Sequence, residues 1–500
     1  MQTLWILGHQ LSTQLAGIQT ISKKDDIILF IESRTRSEWL PYHKQKIVLI
    51  FSGMRHFAAE LRSEGYRVDY RFANTFKEGL DAHIAEFSPT TFIAHWPTDW
   101  TMRRLMDRWA DETTNIPIIR LDESALFLVE REEWPSLLPL NQKTWRMETT
   151  YQKLRRRFNV LMDGNDPVGG AWNYDRENRK RPDKNKIFIE AITFEPDDIT
   201  RQVMTEVKSN FPDHPGNISS FLWPVTRSQA QRALDHFIQY RLPDFGDHQD
   251  AMLEGNPFMS HSLLASAINI GLLQPLEVIV AAEQAYRNGQ APLAAVEGFI
   301  RQILGWREYV RGVYIVMGPS YSLTNELEHV KDLPAAYWGA PSKMNCLNQC
   351  VSEVLDNSYS HHIQRLMVLG NFALLYGVNP KQVNDWFNQM YVDAFDWVVT
   401  PNVIGMSQHA DGGRMASKPY VSSAQYIKKM SNYCANCHYD PDLKIGESAC
   451  PFNAMYWAFI NRHASRWAKN PRMSMIVASW NKMDPADRQA LLEQAENFKL

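Results

Sequence analysis

The chain has 500 residues, of which 44% are hydrophobic and 22% charged, with a formal net charge of -3. These values exclude a disordered chain and a uniformly basic nucleic-acid binder, and the length predicts two domains with a smaller unit between them. Sixteen tryptophans and five cysteines stand out, the cysteines all in the last third.

Over the first 125 residues short apolar runs alternate with helical patterns. Residues 4–7, 27–31, 68–72, 92–94 and 118–121 read as buried strands. Between the second and third, residues 46–64 carry Ile50, Met54, Phe57, Ala58 and Leu61 on one stripe, with Gly65 as the stop signal. This order predicts an α/β N-terminal domain, a parallel Rossmann-like sheet covered by helices, over residues 1–130. After the first strand stands Gly8-His9-Gln10-Leu11 rather than G-x-G-x-x-G, so a standard dinucleotide or P-loop site is not expected there.

Residues 131–225 read as a linker with a basic stretch. Lys153-Leu154-Arg155-Arg156-Arg157 is followed by Gly169-Gly170 and by the run from Arg176 through Asp183 and Lys184. Such runs are usually solvated surface, and the functional alternative is a stripe that contacts phosphates. From 226 to 500 helical periodicity takes over, at 262–273, 276–288, 294–316, 353–376 and 380–395, with a loop expected at 397–425. Met1-Gln2-Thr3-Leu4-Trp5-Ile6-Leu7-Gly8 lacks the features of a secretory signal, and no apolar run approaches the roughly eighteen residues of a membrane span. A cytoplasmic protein is therefore expected, with no membrane partner.

In that compartment cysteines are more often metal ligands or redox groups than disulfides. Cys434-Ala435-Asn436-Cys437, then Cys450-Pro451, with Cys346 and Cys350 upstream, has the form of a four-ligand site. Zinc and a 4Fe–4S cluster both suit it, and a Cys-Pro ending is typical of the cluster. Cys346 and Cys350 are i and i+4 on one helical face, so spacing does not choose between them.

Ser360-His361-His362-Ile363-Gln364-Arg365 opens an otherwise apolar helix, where a histidine can exchange a proton near neutral pH. His361 and Arg365 share a face. Downstream, Asp396 is placed to pair with Arg365, and Asn402 to hydrogen-bond a polar heteroaromatic ring. Trp338, Trp386, Phe387, Trp397, Tyr420 and Tyr426 lie around these positions, as packing groups or as neighbours of a flat cofactor.

With these residues in view, the chain resembles the cryptochrome/photolyase superfamily, and within it the iron–sulfur branch of prokaryotic (6-4) photolyases and bacterial cryptochromes. The resemblance spans essentially the whole length. It rests on Phe51-Ser52-Gly53-Met54-Arg55-His56-Phe57, Pro167-Val168-Gly169-Gly170, the stretch from Ala295 to Tyr309, Asn402-Val403-Ile404-Gly405-Met406-Ser407-Gln408, the histidine helix and the cysteine set.

The resemblance implies that the larger C-terminal domain is an all-α FAD-binding domain with a cysteine-ligated iron–sulfur cluster. The implied ligands are Cys346, Cys434, Cys437 and Cys450, leaving Cys350 spare. Flavin contacts are implied at Ser262, Leu263, Leu264, Gln302, Arg365, Asp396 and Asn402. Electron-transfer aromatics are implied at Trp338, Trp386 and Tyr426, and lesion-pocket residues at His361, His362 and Tyr420, with His362 as proton donor. A 6,7-dimethyl-8-ribityllumazine-type antenna is expected at strand ends, near His9, Gln10 and Glu32.

The implied activity is light-driven repair of (6-4) pyrimidine–pyrimidone photoproducts in UV-damaged DNA, by a monomer that uses excited reduced FAD. The alternative is a blue-light sensor of the same build. Leu366 departs from the eukaryotic (6-4) enzymes, which carry a second active-site histidine there, so proton handling must differ or rest on His361.

Overall fold

The apolar runs of the N-terminal part form five strands, β1 (Gln2–Ile6), β2 (Ile27–Ser33), β3 (Val68–Ala73), β4 (Thr91–His95) and β5 (Ile118–Leu121), in a computed structural model. It describes residues 1–112, 116–122, 125–182 and 185–500. All neighbours are parallel and the order is β3-β2-β1-β4-β5. The expected strands are present, with ends displaced by one or two residues.

Alternation along each strand divides the core. Leu4, Ile6, Ile28, Phe30 and Ile93 face a large apolar cluster that runs on into the helical part of the molecule. Trp5, Leu29, Ile31, Phe92 and Ala94 face a second cluster, against Leu80, Met106 and Trp109 of the helices Phe76–Phe87 and Trp100–Glu112. The expected amphipathic helix is Lys44–Ser63, and Gly65 beyond its end takes φ +91.

Strand order reverses between β1 and β4, where loops at the carboxyl ends diverge and leave a crevice. Here the helical part closes over that end of the sheet. Lys46 Nζ donates to the Asn388 carbonyl at 2.7 Å, and His43 N to that of Gln389 at 2.9 Å. Trp100 N donates to the Tyr314 hydroxyl at 3.0 Å.

Beyond residue 225 the described chain forms helices but no strands. Several differ from their sequence pattern. The run 262–273 is helical only over Ala265–Asn269. The run 353–376 is broken, because Asn345–Asn357 ends at Ser358 in the left-handed region (φ 54) before helix resumes at His362. The helix from Pro380 stops at Met390. The expected loop 397–425 begins instead as helix, Asp396–Thr400, continuing as Pro401–Ser407.

Besides Phe237–Arg241, three stretches of the described chain widen to π-helical turns, Arg301–Arg307, Gln364–Gly370 and Pro401–Ser407, a feature frequent at functional sites. They carry Gln302, Arg365 and Asn402. The last two cross closely at Gly370, where a Cβ would lie 2.2 Å from Ser407 Oγ and 2.8 Å from the Arg365 carbonyl oxygen. Gly370→Ala should therefore destabilise the protein by about 1–3 kcal/mol, the usual effect of overpacking. A urea midpoint equal to wild type would contradict this close crossing.

Candidate functional site

The first constellation is the cysteine cavity. Cys346 stands in the first turn of Asn345–Asn357, Cys434 and Cys437 flank a single helical turn, and Cys450 caps the helix Pro451–Arg462. All four line one cavity, whose remaining wall includes Met344, Ile427, Tyr433, Tyr439 and Phe452. Cys350, one turn further along, is fully buried and does not line it. The structure thereby separates two residues that spacing left equivalent.

Burial, reinforced by the neighbouring thiols, pushes Cys434 up to about 11 and Cys450 up to about 12, and Cys346 well above the ordinary thiol range. Sulfurs in such a cavity become thiolates only against a cation, so this donor set fits a metal group.

The second constellation surrounds the paired histidines. His361 is buried at the break before the helix, its backbone N–H donating to Gln364 Oε1 at 3.0 Å. Neither of its ring nitrogens has a hydrogen-bond partner among the described residues. His362, in the first turn, is exposed to solvent, although the protein around it lowers its pKa to about 4. Sequence reasoning missed a third member: the His261 ring stacks on His361 with centroids 4.4 Å apart and planes 11° apart. Its only sequence signal was its place beside Ser262.

Arg365 does not pair with Asp396. Its guanidinium makes a two-pronged bond to Asp393 (3.1 Å to each oxygen), lies 3.8 Å from the Tyr391 ring centroid, and donates from Nε to the Ser360 carbonyl at 2.7 Å. Asp393 belongs to the turn after Met390 and reaches back to the histidine helix. Asp396, three residues on, faces the domain junction, where Asn388 Nδ2 lies at 3.3 Å and the Tyr314 hydroxyl at 3.5 Å. Burial, and next the charge of Asp99, push its carboxyl up to about 6 against Arg36 and Lys46.

The remaining expected flavin contacts are half-buried, Leu264 excepted, which is buried. Asn402 Nδ2 is held by the Val398 carbonyl at 2.8 Å, and Gln302 Nε2 by that of Gly298 at 2.9 Å, leaving each side-chain oxygen outside that bond. Ser262 Oγ accepts from Leu264 N at 3.4 Å, and Leu263 takes φ +60. Next to this turn Ser266 Oγ is buried with no partner among the described residues. Unpartnered polar atoms on Ser266 and His361 fit a polar ligand such as a flavin nucleotide.

Trp386 is buried, with Nε1 on the Tyr337 carbonyl at 3.0 Å and ring contacts to Tyr391 (5.8 Å) and Tyr337 (5.1 Å). Trp338, next in the chain, is 44% exposed. Tyr391, Trp386 and Tyr337 thus form a run of ring contacts that starts at the ring under Arg365. Tyr391 and Tyr337 were not singled out in the sequence. Tyr426 lies elsewhere, on the helix Ala424–Met430 that lines the cysteine cavity. Tyr420 is half-buried in the segment that Ser422 ties to Asn371, with Asn371 Nδ2 donating to the Ser422 carbonyl at 3.0 Å.

At the sheet end, Gln10 Oε1 accepts from Leu7 N at 3.1 Å, His9 Nε2 from Thr98 N at 3.4 Å, and Glu32 takes a two-pronged bond from Arg55. Each spends polar atoms inside the protein. Part of the basic stretch does the same. Arg155 is buried on the carbonyls of Val160, Leu161 and Trp172, while Arg157, Arg179, Lys180 and Lys186 pair with Glu133, Asp175, Asp247 and Asp244. Asp183 and Lys184 of that run lie outside the described residues.

Burial also lowers the buried histidines His9, His43, His409 and His463 to about 4. An unfolded chain takes up these protons near 6.5 and the folded one only near 4, so stability is complete above 6.5 and declines as pH falls towards 4. Denaturant midpoints at pH 8, 6 and 5 should fall in that order. A midpoint constant across that range would overturn the neutral assignment.

The architecture, a five-stranded parallel sheet followed by a larger helical part, is that of photolyases and cryptochromes. It superposes on a bacterial class III photolyase from Agrobacterium tumefaciens with TM-score 0.57 at 14% identity, covering 86% of this chain and 84% of that one. Against a cryptochrome of Synechocystis sp. PCC6803 the TM-score is 0.59 at 11% identity, covering 99% and 98%. The family model of deoxyribodipyrimidine photo-lyase-related protein matches residues 4–223. A (6-4) photolyase of Agrobacterium fabrum (strain C58 / ATCC 33970) is 44% identical over 503 residues, 99% of each chain. The chain belongs to the (6-4) photolyase family.

Proposed function

We propose that this protein is a DNA-repair enzyme that uses light to reverse (6-4) pyrimidine–pyrimidone photoproducts. The observation that carries the reading is the histidine pair at the helix start, where His362 opens to solvent beside the unpartnered nitrogens of His361. A lesion base swung out of the duplex needs such a donor within reach of its transferring oxygen.

FAD is the cofactor of this reading, and when bound and reduced it supplies on illumination the electron that opens the lesion to repair. Ser262, Leu263 and Leu264 would hold its phosphates, and Gln302, Arg365 and Asn402 its ring system. Asp393 takes the part expected of Asp396 as partner of Arg365, fixing the guanidinium in one plane. His362 would donate the proton, with His361 and Tyr420 shaping the pocket. Trp386 and Trp338, with Tyr426, would bring in electrons from solvent.

The cysteines would hold a 4Fe–4S cluster. Zinc at its usual bond length of about 2.3 Å sets sulfurs about 3.8 Å apart. Among the described residues no three cysteine sulfurs lie within 4.8 Å of one another, a spread that favours ligands on separate irons. A lumazine-type antenna would sit at the carboxyl end of the sheet, with His9, Gln10 and Glu32 shaping its floor. Among the described residues no helix is long and apolar enough to cross a membrane. The protein of this reading is a cytoplasmic monomer that acts on DNA.

The test is a repair assay on one oligonucleotide sequence bearing either a (6-4) photoproduct or a cyclobutane dimer, with reductant, in light and in darkness. Light-dependent loss of the (6-4) lesion alone is expected. No repair of it by protein carrying reduced FAD would overturn the reading.

A further inference from the structure

The position of Leu366 lacks the second histidine that the eukaryotic enzymes place on this helix, and the structure stacks a histidine from a different segment on His361, at the start of the same helix. His261 belongs to the turn before Ser262, about a hundred positions upstream in the chain. Its ring lies face to face with that of His361, centroids 4.4 Å apart and planes 11° apart. Both of its nitrogens are engaged: Nε2 lies 3.1 Å from the Gln249 carbonyl oxygen and Nδ1 3.3 Å from that of Phe258. Carbonyls only accept, so the ring donates to one of them when neutral and to both when protonated. Phe245 adds an edge contact at 5.9 Å. The ring is therefore clamped in plane, and it clamps His361.

His361 has no comparable anchor of its own. Its ring nitrogens are buried and unpartnered, and its hydrogen bond to Gln364 comes from the backbone. What orients the imidazole is the stack. The charged groups around the two rings are Arg241 and Arg365, with His362 alongside. Arg365 is neutralised by Asp393, while Arg241 donates to the carbonyls of Phe258 and Met259. Positive surroundings and burial keep the group neutral in the protein alone. Incoming phosphate charge would oppose both effects and favour a proton on one ring. Two stacked rings at this distance do not hold two protons, so whichever carries it decides the state of the other.

We propose that His261 is a positioning residue of the repair reaction: stacked on His361 and tied through both nitrogens to backbone carbonyls, it fixes the ring from which His361 supports proton transfer by His362. It thus supplies, from a separate loop, the second histidine that Leu366 cannot. This rests on the repair function proposed above.

The experiment compares wild type, His261→Ala and His261→Phe as FAD-loaded proteins on (6-4) DNA. Readouts are lesion affinity, repair yield per absorbed photon from pH 5.5 to 9, and ¹⁵N spectra of histidine-labelled protein. His261→Ala should keep FAD and lesion affinity, lower the repair yield by about tenfold or more, and displace the pH profile. His261→Phe, which restores a flat ring without nitrogens, should recover part of the yield but not the profile. In the spectra, the His361 signals should change in His261→Ala whether or not repair occurs.

Wild-type yield and profile in His261→Ala would overturn the proposal. So would loss of FAD from both variants, which would make His261 a cofactor-loop residue. Inactivity of the wild type on (6-4) DNA would instead remove the repair reading, leaving the ¹⁵N spectra to decide the stack.

Discussion

Replacing His362 with alanine should leave FAD bound and lower light-driven (6-4) repair by about 10²- to 10⁴-fold, the usual contribution of a positioned general acid. The residue stands in the first turn of its helix, accessible to solvent, whereas His361 beside it is buried. The protein atoms crowded around it, and next the charge of Arg365, lower its pKa to about 4 although part of the side chain reaches solvent. A neutral imidazole is a poor acid, so the donor state must be created when substrate arrives. DNA phosphates bring negative charge, which favours the protonated ring. The variant removes no hydrogen bond of the Arg365–Asp393 pair, so the flavin absorbance should be that of wild type. Repair at the wild-type yield in this variant would remove His362 from the chemistry, and His361 would become the candidate donor.

The second large effect is expected at the cysteines. Cys437→Ala should lose most of its iron and much of its soluble yield, while Cys350→Ser should keep both. The four lining thiols come from three separate parts of the chain, and a shared metal group ties these parts together. Removing one ligand leaves three sulfurs in an apolar cavity, without the cation that stabilises them as thiolates. Cys350 is equally cysteine and more deeply buried, yet it points away from the cavity and beside the Tyr433 hydroxyl. Iron content and visible absorbance of the two variants check this. Full iron in Cys437→Ala, or its loss in Cys350→Ser, would replace the ligand set.

The strands were legible because each is a short apolar run with polar stops, and sheet residues read their environment locally. The histidine helix was legible as apolar periodicity, but its start was not: the left-handed turn at Ser358 interrupts a pattern that is helical on both sides. The π-helical turns were equally hidden, since widening a turn by one residue barely alters which positions are apolar. The partner of Arg365 illustrates the remaining difficulty. Asp393 and Asp396 are three residues apart and chemically identical, and the bend after Met390 selects between them.

The opening tally of charge and cysteines can now be resolved. Part of the basic stretch in this mildly acidic chain is spent on the protein itself, in salt bridges and in the buried carbonyl contacts of Arg155, while Lys153, Arg156, Arg176 and Arg181 are exposed. Sequence alone determined the α/β-then-helical order, the cysteine set and the paired histidines, because these are carried by local pattern and residue chemistry. Spacing left Cys346 and Cys350 equivalent, the resemblance chose Cys346, and the fold puts it at the cavity. Tertiary structure alone decided that Asp393 rather than Asp396 holds Arg365, and that His261 lies on His361. Each of those is a choice between residues of the same kind, and only the packing of distant segments brings one of them within bonding distance.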